Sequence, residues 1–178
     1  MTERVVPEPP QFPAGPFAAP DSHDRGMREA WIGDLERIPA RLRQAVSGVP
    51  DARLDTTYRS WTVRQIVHHV ADSHLHSYAR FKLALTEEQP AIKPYDEGRW
   101  SGLADARGAG VESSLQILDG LHRRWVFLLR ALPGDAFERA FYHPEQREVV
   151  ALWRTLAYYV WHGRHHTAQI EWVKRHKL

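Results

Sequence analysis

The stretch TVRQIVHHVADSHLHSYARFKLAL, from Thr62 to Leu85, decides the fold. Thr62 followed by Gln65 forms a capping-box pair, which satisfies two of the N–H groups that a helix start leaves unpaired. Behind it, Val63, Ile66, Val67, Val70, Tyr78, Phe81 and Leu85 recur at the three- and four-residue spacing of one helix face. Nothing breaks the pattern before Pro90, so it predicts a helix of about seven turns, a length that favours helical bundles.

The flanking segments read the same way. Met27, Trp31, Leu35, Ile38 and Leu42 mark a helix that Asp21, Ser22 or Asp24 could cap and that Gly48 and Pro50 end. Val111, Leu115, Leu118, Leu121, Trp125 and Leu128 or Leu129 mark another, stopped by Pro133-Gly134. A last helix runs from about Val149 to the end through Leu152, Leu156, Tyr159, Val160, Ile170 and Val173. No long stretch alternates with period two. The expectation is an all-α four-helix bundle over 24–178, preceded by a proline-rich extended arm over 1–23 that drapes on it. The connection 89–110, rich in Pro and Gly, reads as irregular, and loops of that length often carry function.

Composition narrows the function classes. The 178 residues are 43% hydrophobic and 26% charged, as in one ordinary globular domain. With no cysteine, disulfide scaffolds, thiolate metal sites and cysteine nucleophiles are excluded. The net charge of +2 lacks the basic stripe of a nucleic-acid binder. Lys174-Arg175-His176-Lys177 is the one dense basic run, and cations there suit a helix C-terminus. The most apolar stretch, Val149 to Trp161, is interrupted by Arg154 and too short to span a bilayer. Without an apolar signal core at its start, the chain is expected in the cytoplasm, away from membranes.

Histidine is the skew. Seven of eleven fall in two windows: His68, His69, His74 and His76, then His162, His165 and His166. His162 and His166, four apart on a predicted helix, project from one face and could share a metal ion. Chance alone would supply roughly 0.7 such pairs here, so the pair needs the second cluster, on another long helix, to carry weight. Within that cluster His69 follows the core position Ile66 by three residues and is the favoured third ligand. His68, further round toward solvent, comes second, and His74 falls among core positions. Asp72 could orient an imidazole, His165 could transfer protons, and His76 continues the His69 stripe. Tyr78, Arg80, Tyr95 and Trp100 are candidate pocket residues.

At these residues the sequence resembles the DinB/YfiT-like family, and more narrowly the YfiT-type metal-dependent hydrolases, also described as bacillithiol S-transferases. The resemblance rests on WTVRQIVHHVADSHLHSYARFKLALTEEQPAIKPYDEGRW, residues 61–100, and WHGRHHTAQI, residues 161–170. Shorter matches are REAWIGDLERIPARLRQAVSG, LHRRWVFLLRAL and FERAFYHPE. It implies a four-helix bundle, a divalent ion such as zinc or nickel on His69, His162 and His166, and often a homodimer. The segment TTYRSW is shorter than in the family, and the arm is expected to be unmatched.

A three-histidine ion with open positions has two uses. It could activate water for hydrolysis, or hold a low-molecular-weight thiol for transfer to a small electrophilic substrate. Thiol transfer is the favoured reading and hydrolysis the alternative. A non-catalytic metal-binding bundle acting in stress response is a third, and it would call for a fourth protein ligand.

Overall fold

The computed structural model describes residues 6–178; the first five residues of the arm lie outside them. Four long helices form the bundle. The first, α1 (Arg25–Val46), is capped by Asp24, whose Oδ1 accepts from the Met27 N–H at 2.7 Å. After Gly48, which supplies the positive φ of 75° that the chain needs on leaving the helix, a short hairpin pairs β1 (Thr57–Tyr58) with β2 (Trp61–Thr62). The second long helix, α2 (Val63–Thr86), carries the expected capping box. Thr62 Oγ1 accepts from the Gln65 N–H at 3.1 Å, and Gln65 Oε1 accepts from the Thr62 N–H at 2.9 Å.

The connection after α2 is more ordered than its Pro and Gly content implied. It holds two single-turn helices, α3 (Glu97–Ser101) and α4 (Ala104–Gly108), both packed on α2. Asp96 caps α3 through the Arg99 N–H at 2.8 Å, a local signal too short to stand out against the surrounding glycines. Then come α5 (Glu112–Ala131), a hairpin of β3 (Ala140–His143) with β4 (Glu148–Ala151), and α6 (Leu152–His176). The last helix therefore starts three residues later than its periodicity suggests. Val149 and Val150 pair instead with Tyr142 and Phe141, in an arrangement that suits β-branched side chains. Both hairpins are too short to produce a readable alternation, and the architecture is the expected helical bundle.

Each of α1 and α2 packs on both α5 and α6, so α1 and α2 face each other diagonally across the bundle. The core is in two parts. One end holds Leu35, Ile38, Phe81, Trp125, Leu152 and Leu156; the other holds Leu42, Val67, Leu118, Ile170 and Val173. Along α2, α5 and α6 alike, buried histidines (His69 and His74, His122, His162 and His166) fall between the two apolar ends. The arm runs antiparallel along α6. Trp161 Nε1 donates to the Gly15 carbonyl at 2.9 Å, Tyr58 Oη donates to the Pro10 carbonyl, and His23 stacks on Trp153.

Helices α1 and α6 meet closely at Gly163. A Cβ there would lie 2.4 Å from Ile38 Cδ1 and under 3 Å from two more carbons of that side chain. Alanine gains about 1 kcal/mol over glycine in helix propensity, but overpacking a filled core typically costs about 1–3 kcal/mol. Gly163→Ala should therefore lower the urea midpoint, and the loss should vanish when the substitution is made in an Ile38→Ala background. An unchanged midpoint in the single variant would contradict the close crossing.

Candidate metal centre

Two adjacent helices bring three imidazoles together. From α2 comes His69, and from α6 come His162 and His166, stacked one turn apart. One donor nitrogen from each lies within 4.8 Å of the others, and all three residues are buried. His162 Nε2 stands 3.2 Å from His69 Nε2 and 3.2 Å from His166 Nε2. Among the described residues no fourth His, Asp or Glu joins this group.

The protons of these rings are assigned by their outer partners. His166 Nδ1 lies 2.8 Å from Gln169 Oε1, an acceptor, so the ring donates there and its Nε2 is a lone pair. The same Gln169 donates from Nε2 to His165 Nε2 at 2.9 Å. His162 Nδ1 is engaged by His74 Nε2 at 3.2 Å. If His162 donates there, its Nε2 and that of His166 face each other as bare lone pairs, an arrangement that calls for a cation between them. Two nitrogens about 2.0–2.1 Å from a common tetrahedral ion stand roughly 3.3 Å apart. The observed spacing fits that donor set, and these three residues could hold a divalent metal.

Trp61 packs against the cluster on one side, its ring 4.7 Å from that of His69 and nearly parallel to that of His166. On another side a cavity of about 710 Å³ opens onto His162 and Ser73, walled by Tyr95, Tyr158, Arg80 and Phe17 of the arm. Glu97, on α3, reaches toward the cluster, its Oε2 3.9 Å from His69 Nε2. Its side chain is 64% exposed, and partial desolvation together with the neighbouring Asp96 raises its pKa above the usual carboxylate value. Residue spacing gave no hint of Glu97; the only signal was its place in a long connection. Burial also raises Tyr158 to about 12 and raises Tyr95, whose buried Oη has no hydrogen-bond partner among the described residues.

Other candidates sit elsewhere. His68 is buried, not turned to solvent as its helical angle suggested, and is held by Ser114 Oγ at 2.8 Å and the Ala109 carbonyl at 3.1 Å. The α3–α4 segment covers the face of α2 that the sequence reading left open. Asp72 makes no side-chain hydrogen bond to an imidazole among the described residues; burial raises its pKa, and so does Asp105. His76 packs on Tyr95 and Trp100, beside a second, shallower groove. His165 stacks on Trp161 at 4.9 Å, near Phe12 of the arm, with its Nδ1 unpartnered among the described residues. Tyr78 belongs to the core side, against Trp125. His74 is fully buried, as expected, but it also touches a residue of the cluster.

Burial keeps the central rings neutral. It pushes His69 and His122 down to about 4, and His74, His162 and His166 well below the ordinary histidine value. Metal binding at neutral pH therefore meets no competing proton on these rings. The unfolded chain titrates them near 6.5, so below that pH it binds protons that the folded chain refuses. The contribution is constant above about pH 6.5 and is lost as pH falls toward 4. Thermal melting of the metal-free protein should show this decline, and a melting temperature that stays flat from pH 7 to 4.5 would contradict it.

Comparison with known proteins finds relatives over most of the chain. The DinB superfamily model matches residues 34–170. A Bacillus subtilis protein named "Putative metal-dependent hydrolase YfiT" is 49% identical over 166 residues, covering 92% of this chain and 93% of its own. A Bacillus pumilus relative with the same hydrolase description is 45% identical, covering 94% and 97%. The solved structure of B. subtilis YfiT, described as "a probable metal-dependent hydrolase with an unusual four-helix bundle topology", matches with a TM-score of 0.89 at 50% identity, covering 92% and 95%. Coverage of 94% leaves fewer residues outside than the 23 of the arm, so the likeness extends into a segment expected to be unmatched. On the family model and these relatives together, the chain belongs to the DinB superfamily.

Proposed function

We propose that the protein is a metal-dependent enzyme in which His69, His162 and His166 hold one divalent ion, zinc or nickel, beside the 710 Å³ cavity. The observation that carries this reading is the convergence of three buried, neutral imidazoles with no fourth His, Asp or Glu in the group among the described residues. Structural sites usually close their shell with four protein ligands, whereas sites that work on substrates keep positions open. An ion held there supplies Lewis-acid chemistry, lowering the pKa of a thiol or water beside it.

The chain's own residues supply the remaining functions. Glu97 is the proton acceptor: its Oε2 lies near the cluster, and its raised pKa brings it closer to the working pH of a general base. Trp61, Phe17 and Tyr158 exclude water from the surroundings of the reacting atoms. Arg80, which makes no ion pair among the described residues, offers a cation to an anionic group on the substrate.

The nucleophile is assigned to a low-molecular-weight thiol. The chain has no cysteine of its own, so the sulfur arrives with the substrate, and the cavity has room for a thiol and a small electrophile together. The thiol gives its proton to Glu97, and a sulfur–carbon bond forms as the carbon–halide bond breaks and halide leaves, or as an epoxide carbon–oxygen bond breaks and its oxygen takes the proton back from Glu97. Hydrolysis is the second reading, favoured by the name that the relatives carry and by a carboxylate placed where it could deprotonate water. A homodimer in the cytoplasm, as the family resemblance implies, belongs to the same proposal.

The test is to incubate zinc- or nickel-loaded protein with small thiols and a bromoalkane, beside a panel of esters and amides. Thiol consumption should be abolished by His166→Ala. Glu97→Gln should lower kcat by about 10²-fold or more with metal content unchanged. Hydrolysis without thiol would replace transfer by the second reading. Failure to bind any divalent metal would overturn both.

A further inference from the structure

Leu35 lies four residues before Pro39 inside α1. Proline has no N–H to return to the carbonyl four positions back, so the Leu35 carbonyl is left without its helical donor. It accepts instead from His122 of α5, whose Nδ1 is 2.8 Å away. A carbonyl only accepts, so the His122 proton is on Nδ1 and its Nε2 is a lone pair. That Nε2 lies 2.9 Å from Nδ1 of His74, on α2, so His74 donates from Nδ1 and presents a lone pair at Nε2. His74 Nε2 in turn lies 3.2 Å from His162 Nδ1, on α6. The His162 proton is therefore on Nδ1, and its Nε2 lone pair faces His69 and His166.

We propose that Pro39, the Leu35 carbonyl, His122 and His74 form a relay that fixes the tautomer and ring orientation in which His162 binds metal. His74 and His122 are positioning residues: neither belongs to the three-imidazole group, and both are buried. One backbone carbonyl, freed by a proline on the first helix, orders three imidazoles on the other three. Histidine ligands to metals are commonly oriented by a hydrogen bond from their second nitrogen, and losing such a partner typically costs 10–100-fold in metal affinity. The proposal rests on the reading of His69, His162 and His166 as metal ligands.

The test begins with ¹⁵N spectra of the imidazoles in the metal-free wild-type protein at neutral pH. His122, His74 and His162 should each carry the proton on Nδ1. An Nε2–H form at any of the three overturns the relay, and this holds even if variants fail to fold. Zinc titrations then compare four proteins. His122→Leu should weaken binding by 10–100-fold and give His162 a mixed tautomer signal, whereas His122→Gln, whose amide both donates and accepts, should recover most of the affinity. Pro39→Ala returns an N–H to Leu35; it should raise the melting temperature by improving the helix and yet weaken zinc binding, a split that a merely structural role would not produce. Zinc affinity unchanged in His122→Leu, with tight binding in the wild type, overturns the relay alone. No zinc binding by the wild type overturns the metal reading, and the relay's purpose with it.

Discussion

Five buried imidazoles in the middle of a helical bundle constrain everything packed around them. Burying an imidazole without partners costs several kcal/mol, so each ring must find a donor or acceptor from a neighbouring helix. Here His74 meets His122 and His162, His122 meets the Leu35 carbonyl, and His166 meets Gln169. These bonds tie α1, α2, α5 and α6 at one level, and a slip of any helix by one residue would break them. The two apolar ends of the core then pack on either side of a layer whose register is already set. The close crossing of α1 and α6 at Gly163, one residue from His162, belongs to the same level.

The polar layer is asymmetric in its access to solvent. Trp125 and Tyr159 pack edge-on against His74 within the relay, whereas His162 borders the cavity. Three separate segments surround the cluster and its cavity: the hairpin that packs Trp61 on His69, the α3 turn that carries Glu97, and the arm that brings Phe17 onto Tyr158 at the cavity wall. Buried Arg64 secures the first of these to its surroundings, bonding Asp51, Asp55 and the Ala109 carbonyl around the start of α2. The bundle thus supplies rigid donors, and the connections supply the shape in which a substrate would be held.

Much of this was legible in the sequence because it follows from periodicity and local chemistry. The capping box at Thr62 and Gln65, the four apolar stripes and the pairing of His162 with His166 are short-range signals, and each has its counterpart in the structure. The choice of His69 over His68 followed from helical angle alone. That angle misjudged His68 as solvent-facing, because the cover provided by Ser114 and Ala109 comes from over forty residues away. Glu97 was invisible for the same reason, since its neighbour His69 belongs to a different element. Pro39 was present in the first helix's stripe region, but its consequence depends on His122, 83 residues further along the chain. The hairpins were missed because strands of two and four residues are too short to show a period.

On this reading three imidazoles and no other protein group bind one divalent ion. X-ray absorption at the zinc edge of the loaded protein tests it most directly. The spectrum should show three imidazole nitrogens at about 2.0–2.1 Å, with the remaining light-atom ligand exchangeable for added small thiol, seen as a sulfur shell near 2.3 Å. A shell closed by a protein carboxylate that no added ligand displaces, or a metal bound through fewer than three imidazoles, would contradict it.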